Sequence, residues 1–377
     1  HPLAQHLHGG GAAEVLREGA AVLSGEGGVD DERGRDCQQT DTMKANDFEA
    51  RILEDYEYSL WNELAVQSPQ GSIFHNSDYL RMVADASSRK INIYGCFKDD
   101  ELVGGCPLFV KRSRGGNSAI SKGPNTPYAG FLLPDQDSTN VRKSELVQHG
   151  ILNTLCDRIQ RDRYSSITIT NSPDLLDIRP CLWRGWEGRV AYTYYVNLEG
   201  NFFERFSKGV RREVRKAVDA GIYVEKLGDA AIHHKLLTQV FGRQELDAPA
   251  DKNFFTNMLD FIERKKCGSM WVARDEPGNV LASRIWIWDN KRAYAWSAAS
   301  NQTSRDSGAN QFLFVKLLEE IQRMGFHQVN MMHANTQRLS YHATGYNPVL
   351  VPYYSITKRG VISSIAVSII ARIKGRR

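Results

Sequence analysis

Apolar positions divide the chain into short strand-like runs and longer helical stripes. Residues 91–110 (INIYGCFKDDELVGGCPLFV) place an apolar run on each side of Asp99-Asp100, and residues 269–288 (SMWVARDEPGNVLASRIWIW) do the same around Pro277-Gly278-Asn279. Both predict strand–turn–strand, because the polar or glycine-bearing centres suit tight turns between half-buried runs. Each follows a stretch with helical spacing, FHNSDYLRMVADA at 74–86 and NFFTNMLDFIERK at 253–265. The same order of elements at long spacing predicts two copies of one domain.

The second copy continues legibly. RAYAWSAAS (292–300) reads as a strand and NQTSRDSGAN (301–310) as a turn. QFLFVKLLEEIQRMG (311–325) reads as a helix with Phe312, Val315, Leu318 (or Leu317), Ile321 and Met324 on one face, closed by Gly325. HQVNMMHA (327–334) is a further strand, and NTQRLSYHATGYNP (335–348) a short helix that Gly345 ends in the left-handed conformation before Pro348. Strand, turn, helix, strand, helix is a βαβα unit with parallel strands flanking the helix. Tyr341 falls one turn before the end of its helix, where it either packs or presents a phenol to a cleft.

Between the copies, NFFERFSKGVRREVRKAVDAG (201–221) carries Phe203, Phe206, Val210, Val214, Ala217 and Gly221 at the spacing of one buried stripe. Lys208, Arg211, Arg212, Arg215 and Lys216 crowd the other half. Arg211 and Arg215 lie one turn apart and could together grip one phosphate or carboxylate. Five cations within nine residues repel unless an anion compensates, which gives an anion clamp as one reading and a solvated amphipathic helix as the other.

Composition adds limits. The 377 residues suffice for two domains, and 48 Lys+Arg against 44 Asp+Glu leave a formal charge of +4, too small to imply nucleic acid except through a local patch. Six scattered cysteines without metal spacing read as buried thiols of a reducing compartment, and no metal site is expected. Residues 1–42 are rich in glycine and acidic residues and without an apolar signal region, so a disordered leader is expected there. The tail, 359–377, carries Ile362, Ile365, Ile369 and Ile373 on one helical face and ends in Arg372, Lys374, Arg376 and Arg377. It either docks on the protein or touches an anionic membrane surface.

The element order of the second copy resembles the GNAT acyltransferase fold. In that fold the turn before the central helix carries Arg/Gln-x-x-Gly-x-Gly/Ala and holds the pyrophosphate of acyl-CoA; here it reads Arg305-Asp306-Ser307-Gly308-Ala309-Asn310, with Asn310 where a tiny residue is usual. The resemblance implies cofactor-binding roles for Arg305, Gly308 and Asn310, and a general-acid role for Tyr341. SKGVRREVRKAVDAGIYVEKL (207–227) and KGPNTPYAGFLLPD (122–135) are similar to segments of the paired-GNAT, Fem-type group, which includes peptidoglycan interpeptide-bridge aminoacyltransferases and proteins of surface-polysaccharide loci. The long helical hairpin of the bridge-forming enzymes is absent from the second copy.

The expectation is therefore a mixed α/β protein with two tandem GNAT-like domains sharing a cleft, 43–195 and 196–358, the second carrying the basic helix at 204–220. Its expected activity is acyl transfer from acyl-CoA or aminoacyl-tRNA, with no permanently bound cofactor, to an amine of a cell-wall or surface-polysaccharide precursor. Candidate substrate-binding residues are Lys208, Arg211, Arg212, Arg215, Arg284 beside two tryptophans, and Lys122 and Tyr128 on a stiff loop at the cleft rim. His333 is a candidate base. Expected partners are a phosphate-bearing sugar or lipid-linked precursor and tRNA, in the cytoplasm or peripherally at the inner face of a membrane. A binding protein that keeps the cleft without the chemistry is the alternative.

Overall fold

The computed structural model describes residues 47–113, 116–135, 139–242, 250–332 and 334–360, apart from the side chain of Arg305. The leader 1–42, the tail beyond 360 and His333 lie outside the described residues.

Both predicted hairpins form. β2 (Lys90–Lys98) and β3 (Glu101–Lys111) turn through Asp99 and Asp100, whose φ angles of 48° and 64° give the two-residue turn whose twist matches paired strands. β8 (Gly268–Arg274) and β9 (Val280–Trp288) turn at Gly278, φ 90°. The other described strands are β1 (Glu49–Ile52), β4 (Ser118–Ile120), β5 (Ser166–Thr170), β6 (Glu187–Asn197), β7 (Tyr223–Lys226), β10 (Ala293–Ser300), β11 (Gln328–Asn330) and β12 (Val349–Arg359).

All twelve lie in one sheet, in the order β1-β2-β3-β4-β5-β12-β6-β11-β10-β9-β8-β7. The order exposes the duplication. Read from one end it runs 1 to 5, then 12, then 6; from the other it runs 7 to 11, then 6, then 12. Adding six to each number of the first half gives the second. β4 and β5 pair in parallel, as do β10 and β11, and the other pairs are antiparallel. Each half thus ends in a strand that also completes the other half's sheet. β6 and β12 pair antiparallel from Val349↔Tyr195 to Thr357↔Glu187 at the centre.

Helices cover both faces. On one, α1 (Tyr58–Gln67), α2 (Ser77–Ala86), α6 (Ala230–Gly242) and α7 (Lys252–Lys265) share a single apolar cluster that includes Trp61, Phe74, Tyr79, Phe255, Met258 and Phe261. α2 meets α7 across the halves through Tyr79 against Phe261, rings 5.9 Å apart, and an ion pair of Lys265 with Asp78 at 2.7 Å. On the opposite face, α3 (Val141–Arg161) and α4 (Arg179–Trp183) pack over the first half. α5 (Lys208–Asp219), α9 (Ala309–Arg323) and α10 (Gln337–Thr344) pack over the second.

Two local expectations are corrected. The predicted turn at 301–310 contains a short helix, α8 (Thr303–Ser307), because the Asn301 side chain accepts from the Ser304 N–H at 2.9 Å and starts it. Gly345 is right-handed (φ −60°, ψ −21°), and the reversal falls on Asn347 at φ 49°. Glycine is needed at 345 for room: a Cβ there would lie 2.9 Å from Val210 Cγ2.

Candidate active site

The parallel ladder of β10 and β11 holds Ala293↔Val329 and Tyr294↔Asn330, where β11 ends. Against β9, the register of β10 shifts between Tyr294 and Ser297. Among the described residues the β10–β11 ladder ends at Tyr294, and past the shift β10 pairs with β9. Past Asn330 the chain turns through Met332 at φ 65°, its N–H donating to Asn330 Oδ1 at 2.7 Å, and leads into α10.

α9 begins at Gly308, φ 73°, with Ala309 and Asn310 as its first residues. The side of Gly308 that lacks a side chain is filled by α5: a Cβ there would stand 2.1 Å from the Glu213 carbonyl oxygen. Asn310 Oδ1 accepts from Arg284 Nη2 at 2.9 Å. β9 is an interior strand, and the Arg284 guanidinium lies over the Phe314 ring at 4.4 Å with its Nε buried and unpartnered among the described residues. Burial pulls its pKa down to about 10. The Gly308 and Asn310 features expected to face a pyrophosphate are therefore engaged by α5 and Arg284.

The basic segment divides into a short 3-10 turn, Phe202–Arg205, and α5 itself. The Ser207 side chain caps α5, accepting from the Val210 N–H at 3.2 Å, and the Ser207 N–H donates to the Gly345 carbonyl at 2.9 Å. α5 thus starts where α10 ends. Phe206, Val214 and Ala217 are buried and Phe203 and Val210 half-buried, as the stripe predicts; Gly221 instead forms the turn after the helix, φ 67°. Lys208, Arg212 and Arg215 are exposed, while Arg211 is half-buried with its Nε unpartnered among the described residues. Tyr341 is 79% exposed on α10, its ring edge-on to His342.

The loop 122–133 crosses from the first half to β10: the Asn125 carbonyl accepts from Trp296 Nε1 at 2.8 Å, with Lys122 exposed nearby in sequence. Tyr128, expected at the rim, is fully buried. Its hydroxyl accepts from Asn330 Nδ2 at 3.0 Å, and its ring lies 6.0 Å from that of Tyr353. The turns of this loop were legible; the inward direction of the ring depends on β11, two hundred residues later.

Two groupings escaped the sequence reading. His233, on α6, joins Ser283 of β9 (2.9 Å) and Ser297 of β10 (2.8 Å). Arg292 pairs with Asp174 at 2.6 Å beside Tyr195 and Gln328, lining a cavity of about 280 Å³. No local pattern links residues so far apart. Glu145, His149 and Asp177 gather at metal-like spacing, but the Arg179 guanidinium already meets both carboxylates.

Comparison with known proteins bears on the fold. Residues 204–343 match the sequence family of the acetyltransferase (GNAT) domain. No curated protein is significantly similar in sequence. Among solved structures, FemX aligns at TM-score 0.63 and 12% identity, over 81% of this chain and 96% of that one. The C-terminal domain of a putative lysylphosphatidylglycerol synthetase from Agrobacterium fabrum aligns at 0.52 and 12%, over 83% and 95%. L-PGS from Bacillus licheniformis aligns at 0.50 and 12%, over 86% and 97%. The second half thus carries a match to the GNAT acetyltransferase domain in both sequence and fold. The whole chain shares the fold of FemX, with two GNAT-like halves in one sheet.

Proposed function

We propose that the chain transfers an acyl or aminoacyl group to an amine of a cell-wall or surface-polysaccharide precursor, through a cleft between domains at 43–195 and 196–358. One observation carries the reading: α5, with its exposed cations, abuts the end of α10 next to the diverging strands. In this reading a neutral amine attacks the activated carbonyl directly. N–H groups of β10 past the end of its β11 ladder stabilise the developing oxyanion. Tyr341 protonates the departing thiolate or ribose oxygen, while Lys208, Arg211, Arg212 and Arg215 hold the phosphates of a sugar- or lipid-linked substrate. Lys122 lies at the rim for the acceptor. Placement supplies most of the rate.

The donor is acyl-CoA or an aminoacyl-tRNA. The packing of α5 against Gly308 favours the second, whose phosphates can meet the outer face of α5 instead. FemX and the lysylphosphatidylglycerol synthetases are the relatives that motivate a cell-envelope acceptor. Among the described residues no helix is long and apolar enough to cross a membrane. Any contact with the inner membrane face is assigned to the tail beyond 360.

Thermal-shift measurements with coenzyme A and with a charged tRNA distinguish the donors. Tyr341→Phe tests the chemistry: turnover should fall by about 10²-fold or more, the scale of a lost general acid, with donor binding unchanged. Undiminished turnover removes Tyr341 from the mechanism. Binding without turnover in the unaltered protein supports the non-catalytic alternative.

A further inference from the structure

We infer that Ser297 donates its hydroxyl hydrogen to the substrate carbonyl oxygen during transfer, with His233 and Ser283 as the positioning residues that aim it. The inference rests on the acyl-transfer reading and adds a side-chain donor that the family resemblance does not supply.

Ser283 and Ser297 stand on neighbouring strands and on one face of the sheet, since Ser283 opposes Ala299 and Ser297 opposes Ile285. His233 descends from α6 between them, Nδ1 2.9 Å from Ser283 Oγ and Nε2 2.8 Å from Ser297 Oγ. Its ring is fixed edge-on against Phe255, centroids 5.0 Å apart. Histidine and Ser283 are both completely buried; Ser297 is half-buried and lies just past the register shift, where β10 has left β11.

Burial decides the proton order. A neutral imidazole has one N–H and one acceptor nitrogen. The buried hydroxyl of Ser283 needs an acceptor, and among the described residues His233 is the partner its side chain meets. Ser283 therefore donates to Nδ1, Nε2–H donates to Ser297 Oγ, and the Ser297 hydrogen is left for a ligand. In the opposite order the Ser297 hydrogen would be consumed by Nε2 and that of Ser283 stranded in the core.

The same burial argues against a nucleophilic serine. Desolvation pulls the His233 pKa down to about 3. A desolvated imidazole resists the charge it would gain by taking the Ser297 proton. A neutral chain of donors has no such penalty. As the amine attacks, the carbonyl oxygen gains charge and the Ser297 hydrogen bond to it strengthens; no bond to Ser297 forms or breaks, and its proton stays in place.

The test uses the full chain, with acetyl-CoA or alanyl-tRNA as donor and UDP-glucosamine as the amine probe. Ser297→Ala should lower kcat by about 10²-fold, the scale of one lost oxyanion donor, with KM for the donor within about twofold and an unchanged melting temperature. Ser297→Thr should restore most of the rate. Nitrogen-15 NMR should find the His233 proton on Nε2. An S297A protein with undiminished kcat, a covalent acyl adduct on Ser297, or a proton on Nδ1 each overturns the relay. An unaltered protein that consumes neither donor overturns the acyl-transfer reading, and the catalytic role of Ser297 with it.

Discussion

Asn330 concentrates the link between the halves in one buried amide. Its Nδ2 donates to the hydroxyls of Tyr128 and Tyr195 at 3.0 and 3.1 Å, and its Oδ1 accepts from Thr193 Oγ1 and the Met332 N–H, both at 2.7 Å. Tyr128 comes from the first half, Tyr195 and Thr193 from the shared strand β6, and Met332 from the turn that opens the cleft. Asn330→Ala strands several buried polar groups at once. At about 1–3 kcal/mol for each unsatisfied group, the expected loss is roughly 3 kcal/mol or more, read as a lower urea midpoint. A loss below about 1 kcal/mol would mean that water replaces the amide. At this scale the sequence was a poor guide. The Pro-Tyr-Ala-Gly stretch encodes its turns through backbone restriction, but whether Tyr128 points inward is set by partners on β6, β11 and β12.

Elements whose signal is local were legible. The Asp99-Asp100 turn, the stripe of α9 and the stripe of α5 each follow from spacing within about fifteen residues, and each is present, except that Met324 lies exposed just past the end of α9. The crossed placement of β6 and β12 was not legible, because either strand satisfies the same alternation beside β5 or β11. Nor was the packing of α5 on the start of α9, which spends Gly308 on a helix–helix contact. Gly308→Ala tests that contact. An alanine would be strained at φ 73°, and its Cβ would meet the Glu213 carbonyl oxygen at 2.1 Å, so α5 must shift. Strain and overlap together should destabilise the protein by about 2 kcal/mol or more. Gly228→Ala, with nothing within 4 Å of the added Cβ, should stay within about 0.5 kcal/mol. Equal melting temperatures for the two variants would show that α5 does not press on Gly308.

At the scale of the molecule, the interlocked sheet buries one apolar layer common to both halves, and that layer contains two neutral histidines. His75, before α2, meets Ser72 Oγ through Nδ1 at 3.0 Å; His233 lies in the serine relay of the second half. Both are completely buried, and desolvation pulls each pKa down to about 3, from 6.5 for a free side chain. The sign follows from linkage. Below pH 6.5 the unfolded chain takes up protons at these residues while the folded chain does not, so stability present above pH 6.5 is lost as pH falls toward 3. Between pH 7.5 and 5.0 each histidine should remove about 2 kcal/mol, and the pair about 4 kcal/mol. Carboxylates titrate largely below this window, which isolates the histidines. Urea denaturation at the two pH values measures the difference, and His75→Gln should shrink it by about half. A pH-independent midpoint over that range would mean that the folded protein admits protonated imidazole in this layer, which would also remove the argument for a neutral relay at Ser297.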